Sequence, residues 1–409
     1  MFRHARPSAR LQAALAISVS ASLLSPSYSI TPSRTPLTDN NQYRPMFQYK
    51  LTPTLTHCVE DSGDSLNALI MAGSGNKELA NKVCDILNVT PSHLKLKRFS
   101  DGEVSMKMFD SMRGKDVFII QSCAAPVNDN MMELLLMISC ARRCGARRVI
   151  AVVPYFGYKY HRRGETLSTK NQSRFLWSAS SDFFKMMNVM GADKVLSVDL
   201  HRPGQGQETS YSGELIPVET ISSHDLMIDY IKQNVKLSPN VTVVAATSEY
   251  LKKARIFQKE LESMKGVDTV GLAAFLRKSD SFEVRRRTVS RLLGEVKGTD
   301  VIVIDGMVET AGSLSALCQA LSKAEAKDIY LCAPHGLFTE NSMELVRLSP
   351  VKKVIVTDSL PMPADMSDKV VQVSVAKYIA KIIEKDCGKY RKQDIRDEFE
   401  YEEENIEHE

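Results

Sequence analysis

Residues Val301 to Ser315 read V-I-V-I-D-G-M-V-E-T-A-G-S-L-S, an apolar run that delivers Asp305 and then a loop of small residues. Glu309, Thr310, Ala311, Gly312 and Ser313 lead into a helical segment, Leu314 to Ser322. A phosphate suits such a place. A helix N-terminus offers unpaired N–H groups and positive dipole potential, a glycine permits close backbone approach, and the Thr310 and Ser313 hydroxyls add donors. Asp305 and Glu309 would then accept from sugar hydroxyls. On the loop alone, Thr310 and Ser313 also read as plain helix caps. Elsewhere a lone imidazole, His201, closes Val198-Asp199-Leu200-His201, a weak signal for a metal ligand by itself. The run Arg285-Arg286-Arg287 is a candidate phosphate contact, although a basic run is ordinarily a solvated face.

These residues need elements to hold them. Short β-branched runs recur at Leu69-Ile70-Met71, Asp116 to Gln121, Arg148 to Pro154 and Lys194 to Leu200, with helical spacing between them. The second half repeats the pattern at Val241 to Thr247, Asp300 to Asp305, Asp328 to Ala333 and Val351 to Asp358. Alternating strands and helices predict an α/β fold with two mainly parallel sheets. Asn76 to Leu87 places Leu79, Val83, Ile86 and Leu87 on one helix face, and Asn128 to Cys140 carries a long Met-rich stripe. That stripe suits an intersubunit helix or a fully buried one. A glycine-bearing loop that ends in Gly213 to Glu219 marks the boundary between halves. Ligands of such sheets bind beyond the carboxyl ends of the strands, where Asp305 and His201 fall.

The 409 residues carry 53 Lys and Arg against 49 Asp and Glu, a formal charge of +4. That balance excludes a general nucleic-acid or membrane-surface binder. Hydrophobic residues at 43% supply a core. The eight cysteines fall singly in apolar runs and read as reduced core thiols. No long uninterrupted apolar run suggests a spanning helix. Residues 1–65 are a different material, with Arg3, Arg6 and Arg10 before the short apolar stretch Leu11 to Leu24. Such a start suits a signal peptide or an organellar transit peptide. A disordered extension, or translation from Met46, would explain it equally simply. The Glu-rich tail within 386–409 repels itself and is expected to stay solvated.

Several segments, in order, carry a family resemblance. They are Arg98-Phe99-Ser100-Asp101-Gly102-Glu103, Ser111-Met112-Arg113-Gly114-Lys115-Asp116-Val117, Asn128-Asp129-Asn130-Met131-Met132-Glu133, Gly191-Ala192-Asp193, Val198-Asp199-Leu200-His201 and His335-Gly336-Leu337-Phe338. With the Asp305 to Ser313 loop, they make the chain from Leu69 to about Ile383 resemble the ribose-phosphate pyrophosphokinases, which form 5-phosphoribosyl diphosphate (PRPP). The resemblance implies two phosphoribosyltransferase-like domains, 66–215 and 216–385, each a largely parallel sheet flanked by helices. It also implies Mg²⁺-dependent transfer of the ATP diphosphoryl group to ribose 5-phosphate, a cytoplasmic setting unless the extension redirects the chain, and an oligomer. That oligomer is either homomeric or formed with an active paralogue.

By the same resemblance, Phe99, Asp101 and Glu103 hold adenine across a subunit interface, His201 serves Mg²⁺, and Asp305 with Glu309 to Ser313 holds ribose phosphate. Ser111 and Arg113 match a regulatory phosphate or ADP segment. The departures lie at the chemistry. Thr247-Ser248-Glu249 replaces Asp-Gly-Gly after a strand, and Tyr160-His161 replaces an ATP-contacting Arg-Gln pair. Asp305-Gly306 replaces Asp-Asp, with Glu309 and Ser313 for Asp and Thr. In the flexible loop Lys278 stands for the catalytic Lys, whereas Asp280 occupies the Arg position. A negative group facing developing phosphate charge is unfavourable. The expectation is therefore a subunit with impaired catalysis. A working pyrophosphokinase, or a binding module without a synthase partner, is the alternative.

Overall fold

Runs of Val and Ile without polar alternation form strands buried on both faces, and helices must then cover both sides of each sheet. A computed structural model describes residues 67–158, 179–200, 216–276, 291–309, 311–339 and 341–388. The chain divides into units 1–62 and 63–409, and every described residue belongs to the second.

The chain begins with β1 (Ala68–Ala72), α1 (Lys77–Leu87), β2 (Leu94–Arg98), β3 (Val104–Met108), β4 (Asp116–Ile120), α2 (Val127–Arg143), β5 (Arg148–Val153), α3 (Ala179–Met190), β6 (Lys194–Val198) and β7 (Val218–Ile221). Strands β1, β4, β5, β6 and β7 lie in that spatial order and pair in parallel. Strands β2 and β3 form a separate antiparallel hairpin. On one face of the sheet, Leu134 and Met137 of α2 pack with Phe184 and Met187 of α3. Helix α1 covers the other face with Leu79, Val83 and Leu87. Asn76 caps α1 by accepting from the Leu79 N–H, and Asn88 ends it in the left-handed region.

There follow α4 (His224–Asn234), β8 (Asn240–Ala245), α5 (Leu251–Glu262), β9 (Thr269–Leu276), β10 (Arg291–Leu293), β11 (Asp300–Ile304), β12 (Met307–Val308), α6 (Ala311–Lys323), β13 (Ile329–Ala333), β14 (His335–Gly336), α7 (Ser342–Leu348), β15 (Val351–Thr357), β16 (Val370–Val373) and α8 (Ala376–Asp386). The second sheet runs β10-β9-β8-β11-β13-β15-β16, parallel except for the β9–β10 pair. Helices α4 and α5 bury Ile231 and Phe257 against one face, while Cys318 of α6 and Val346 of α7 join the cluster on the other. Helix α8 returns to the first half, where Ile379 and Ile383 pack beside α1.

Polar contacts stitch the halves together. The Asn76 side chain donates to the Asp358 carbonyl at 2.7 Å and Ser122 Oγ to the Ser359 carbonyl at 2.6 Å. Cys58 lies outside the described residues and Cys387 is half-buried; the expectation that the cysteines are core thiols holds for Cys84, Cys123, Cys318 and Cys332, but Cys144 is exposed and Cys140 only half-buried. They sit in the last turn and cap of α2, which ends at the surface. Ile86, expected on the buried face of α1, is 50% exposed. The buried stripe centres on Ala80, Val83, Cys84 and Leu87, so the 100° step leaves Ile86 at its edge.

Candidate active site

Strand β11 ends at Ile304 and delivers Asp305, whose Oδ1 accepts from the Gly306 N–H at 2.7 Å. The short β12 then pairs with β14, and this ladder aims the following turn. At its end the Glu309 carbonyl accepts from Thr339 N at 3.0 Å and from Ser342 Oγ at 3.2 Å, which fixes the backbone of the turn. Ala311, Gly312 and Ser313 open α6, so the expected strand, loop and helix N-terminus are brought together. Thr310 lies outside the described residues, as do His161, His201 and Lys278.

Glu309 lines a cleft of about 590 Å³ between the carboxyl ends of β4 and β5 and the loops of the second sheet. Its walls include Cys123, Tyr155, Leu337 and Leu360, with Asn128 and Thr339 among the few polar groups. Burial, with Glu309 nearby, pushes the Tyr155 hydroxyl above its ordinary range. It stays neutral and serves as a donor. The cleft can take a ligand with an apolar face whose polar end meets Glu309.

The presumed adenine loop is the turn of the β2–β3 hairpin. Phe99 N donates to the Glu103 carbonyl at 2.9 Å, and Asp101 Oδ1 accepts from Glu103 N at 3.1 Å. This tight turn, with Gly102 at φ 95°, holds Phe99 outward and 58% exposed. Among the described residues lining the cleft, none belongs to this hairpin. Ser111 and Arg113 lie on a third surface, between β3 and β4, where buried Met112 anchors the loop and leaves its two neighbours exposed.

Two residues that sequence reasoning gave no role join the sheets beside the cleft. His335 of β14 places Nδ1 2.8 Å from Ser359 Oγ and Nε2 3.4 Å from the Asp199 carbonyl, with its ring edge-on to Tyr155 at 5.1 Å. Lys253 of α5 places Nζ 2.7 Å from Oδ1 of Asp199. Asp199 also accepts from Ser223 N at 2.9 Å and from the Ser223 hydroxyl. Burial alone would raise the Asp199 pKa. The Lys253 and His224 charges and these hydrogen bonds outweigh it and hold the carboxyl below its ordinary value. No local pattern signals Lys253, and the segment around His335 says nothing of its partners, because each acts across the fold.

Among the described residues, no three His, Cys, Asp or Glu side chains gather as ligands for a cation. Asp199 is committed to an ammonium group, and Thr247 stands at the end of β8 with its hydroxyl buried and unpartnered. Among the described residues this donor set does not hold a Mg²⁺ ion by side chains alone, and His201, expected to serve the cation, lies outside them. Among the described residues, no helix is long and apolar enough to cross a membrane.

Residues 68–176 match the family described as the N-terminal domain of ribose phosphate pyrophosphokinase, and 273–389 match the phosphoribosyl synthetase-associated domain. The chain is 34% identical over 316 residues to a ribose-phosphate pyrophosphokinase of Chlorobaculum tepidum, an overlap covering 77% of this chain and 91% of that protein. It is 31% identical over 293 residues to ribose-phosphate pyrophosphokinase 1 of Spinacia oleracea, covering 72% and 81% respectively. The fold superposes on phosphoribosylpyrophosphate synthetase from Mycobacterium smegmatis with a TM-score of 0.65 at 27% identity, covering 78% of this chain and 97% of that one.

Proposed function

Because this chain belongs to the ribose-phosphate pyrophosphokinase family, we propose that it is a catalytically impaired subunit that binds ATP and ribose 5-phosphate and assembles with an active paralogue. The observation that carries this reading is Thr247. At the carboxyl end of β8, where the resemblance calls for a carboxylate, its hydroxyl is buried without a hydrogen-bond partner. A neutral hydroxyl there brings no negative charge to hold a cation, which a carboxylate would supply. Gly306 adds to it, since it lacks the second carboxylate that the resemblance calls for beside Asp305.

Transfer of a diphosphoryl group depends on positioning and charge neutralisation. Losing one preorganised donor typically costs about 10² to 10³ in rate, and several positions are altered here. Phosphate anchoring at α6 relies on backbone N–H groups and is independent of Gly306. Binding without turnover is the outcome. The exposed Phe99 supports an adenine site completed by a neighbouring subunit. Mg²⁺ in this reading accompanies the nucleotide. The division into halves 66–215 and 216–385, between the extension 1–65 and the tail 386–409, belongs to the same proposal. Strand β7 and helix α8 lace the halves together across it.

The test is AMP release by the purified chain with Mg²⁺, ATP and ribose 5-phosphate, alongside calorimetric binding of each substrate. Binding of both without AMP release is expected, as is copurification with a catalytically active homologue. Robust turnover by the isolated chain overturns the impaired-subunit reading in favour of an ordinary pyrophosphokinase.

A further inference from the structure

Cys140 and Cys144 occupy the last turn and the C-cap of α2, and their sulfurs stand 4.0 Å apart. Cys144 is exposed and Cys140 half-buried, whereas Cys84, Cys123, Cys318 and Cys332 are buried. From this geometry we infer that Cys140 and Cys144 form a reversible dithiol modification site, oxidised to an intrahelical disulfide by low-molecular-weight disulfides such as glutathione disulfide.

The two thiols divide the chemistry by exposure. Burial, then the neighbouring Cys144 thiol, pushes the Cys140 thiol up to about 11, so Cys140 is protonated at neutral pH. Cys144, the exposed sulfur, is the one a small disulfide reaches and so attacks first. Its thiolate bonds to one sulfur of the oxidant, the oxidant's S–S bond breaks, and one thiolate leaves and takes a proton from water. Cys140 then loses its proton to solvent and attacks the Cys144 sulfur, and the second small thiol departs. Two protein thiols and one small disulfide become one protein disulfide and two small thiols. Arg142 in the same turn is engaged by Asp193, which leaves the exposed Arg143 to attract an anionic oxidant such as glutathione disulfide.

Closure must deform the turn. Residues four apart on a helix hold their Cβ atoms about 5–6 Å apart, whereas a disulfide wants about 3.5–4.5 Å. Cys144 can move toward Cys140 because it already leaves the helix, at φ −80° and ψ 7°. Such a strained, exposed disulfide is easily reduced again, which makes it reversible. The movement has a destination. Gly145, at φ 80°, accepts from the Gly114 N–H through its carbonyl at 2.9 Å. Arg113 lies beside it, where a Cβ added at Gly145 would make ordinary contact with its Cγ at 3.5 Å. Drawing Cys144 inward pulls on the contact that holds the Ser111 to Gly114 loop.

The full-length protein is equilibrated over a series of glutathione redox ratios, its thiols are trapped, and its peptides are mapped by mass spectrometry. A Cys140–Cys144 cross-link is expected, cleared by reduction. Cys140→Ser should instead accumulate glutathione at Cys144, and Cys144→Ser should leave residue 140 unmodified. Both are small surface changes, and circular dichroism checks that they fold. A second readout is hydrogen exchange at Gly114, expected to quicken about fivefold in the cross-linked form, the factor for one ordinary backbone hydrogen bond. Glutathione that stays on wild-type Cys144 without resolution overturns the proposal, as does preferential pairing of either cysteine with another residue. A cross-link that leaves Gly114 exchange unchanged overturns the coupling to the loop. None of these readouts uses pyrophosphokinase activity, so they stand apart from the functional assignment.

Discussion

Lys253 Nζ meets Oδ1 of Asp199 at 2.7 Å, so a helix on the second sheet neutralises a carboxylate at the end of a strand in the first. The Asp199 side chain is 3% exposed and that of Lys253 23%. Lys253→Met strands a buried charge and is expected to cost about 3–5 kcal/mol. Adding Asp199→Asn should recover part of that loss, because the orphaned charge is then gone. Urea denaturation of the two single variants and the double variant measures the coupling. Simple additivity would show that the pair does not join the halves.

Asp116 opens β4 with no exposed surface, and two adjacent guanidinium groups hold it. Arg147 Nε donates to Oδ1 at 2.8 Å and Arg147 Nη2 to Oδ2 at 2.7 Å, with Arg148 Nη2 at 2.5 Å. Burial raises the Asp116 pKa, but these bonds and charges prevail and hold it below the usual carboxylate value. The folded form therefore holds this proton less tightly than the unfolded chain. The resulting stability is present above an ordinary Asp pKa of about 4 and is lost as pH falls through the lower folded value. Asp116→Asn should flatten that acid limb and cost about 3 kcal/mol at neutral pH. Urea midpoints followed from neutral pH down to about pH 3 check both. Parallel curves for wild type and variant would exclude Asp116 as the source.

The sequence announced the elements that bury a continuous apolar run. Strands β4, β5, β6, β8, β11, β13 and β15 coincide with β-branched segments, because both their faces are covered. The β2–β3 hairpin escaped notice because Leu94–Arg98 and Val104–Met108 interleave Lys and Arg with their apolar residues. Strands β12 and β14 have two residues each and exist only because they pair with one another. The site divides in the same way. Asp305 and Glu309 were legible because strand, loop and helix follow one another in sequence. His335 and Lys253 act on partners 136 and 54 residues away, a relation that no local spacing encodes.

Phe99 gives a prediction that separates binding from folding. With 58% of its surface exposed, it contributes little to the fold of a single chain, and Phe99→Ala should shift stability by less than about 0.5 kcal/mol. If its ring stacks on adenine, the same change should weaken ATP binding about tenfold or more. Calorimetry with ATP, set beside thermal unfolding of the same samples, reads both quantities. If a second subunit completes the adenine site, the effect should also depend on protein concentration. Unaltered ATP affinity would remove the hairpin from the nucleotide site.

The last prediction concerns the reaction. Thr247 holds a buried, unpartnered hydroxyl where the resemblance calls for a carboxylate, Gly306 lacks one beside Asp305, and Asp280 is negative where the resemblance calls for Arg. Each departure removes a group that would position phosphate or ribose, or would meet charge that develops only during transfer. Substrate binding can therefore survive while the rate does not. Thr247→Asp, Gly306→Asp and Asp280→Arg should each do little alone, since an in-line geometry needs all its supports together. The triple variant should release AMP at a rate well above the product of the three single effects, because groups acting as one unit are strongly non-additive. Its KM for ribose 5-phosphate should change far less than kcat, given that the α6 N-terminus is untouched. A triple variant as inactive as its parents would place the defect in some other part of the chain.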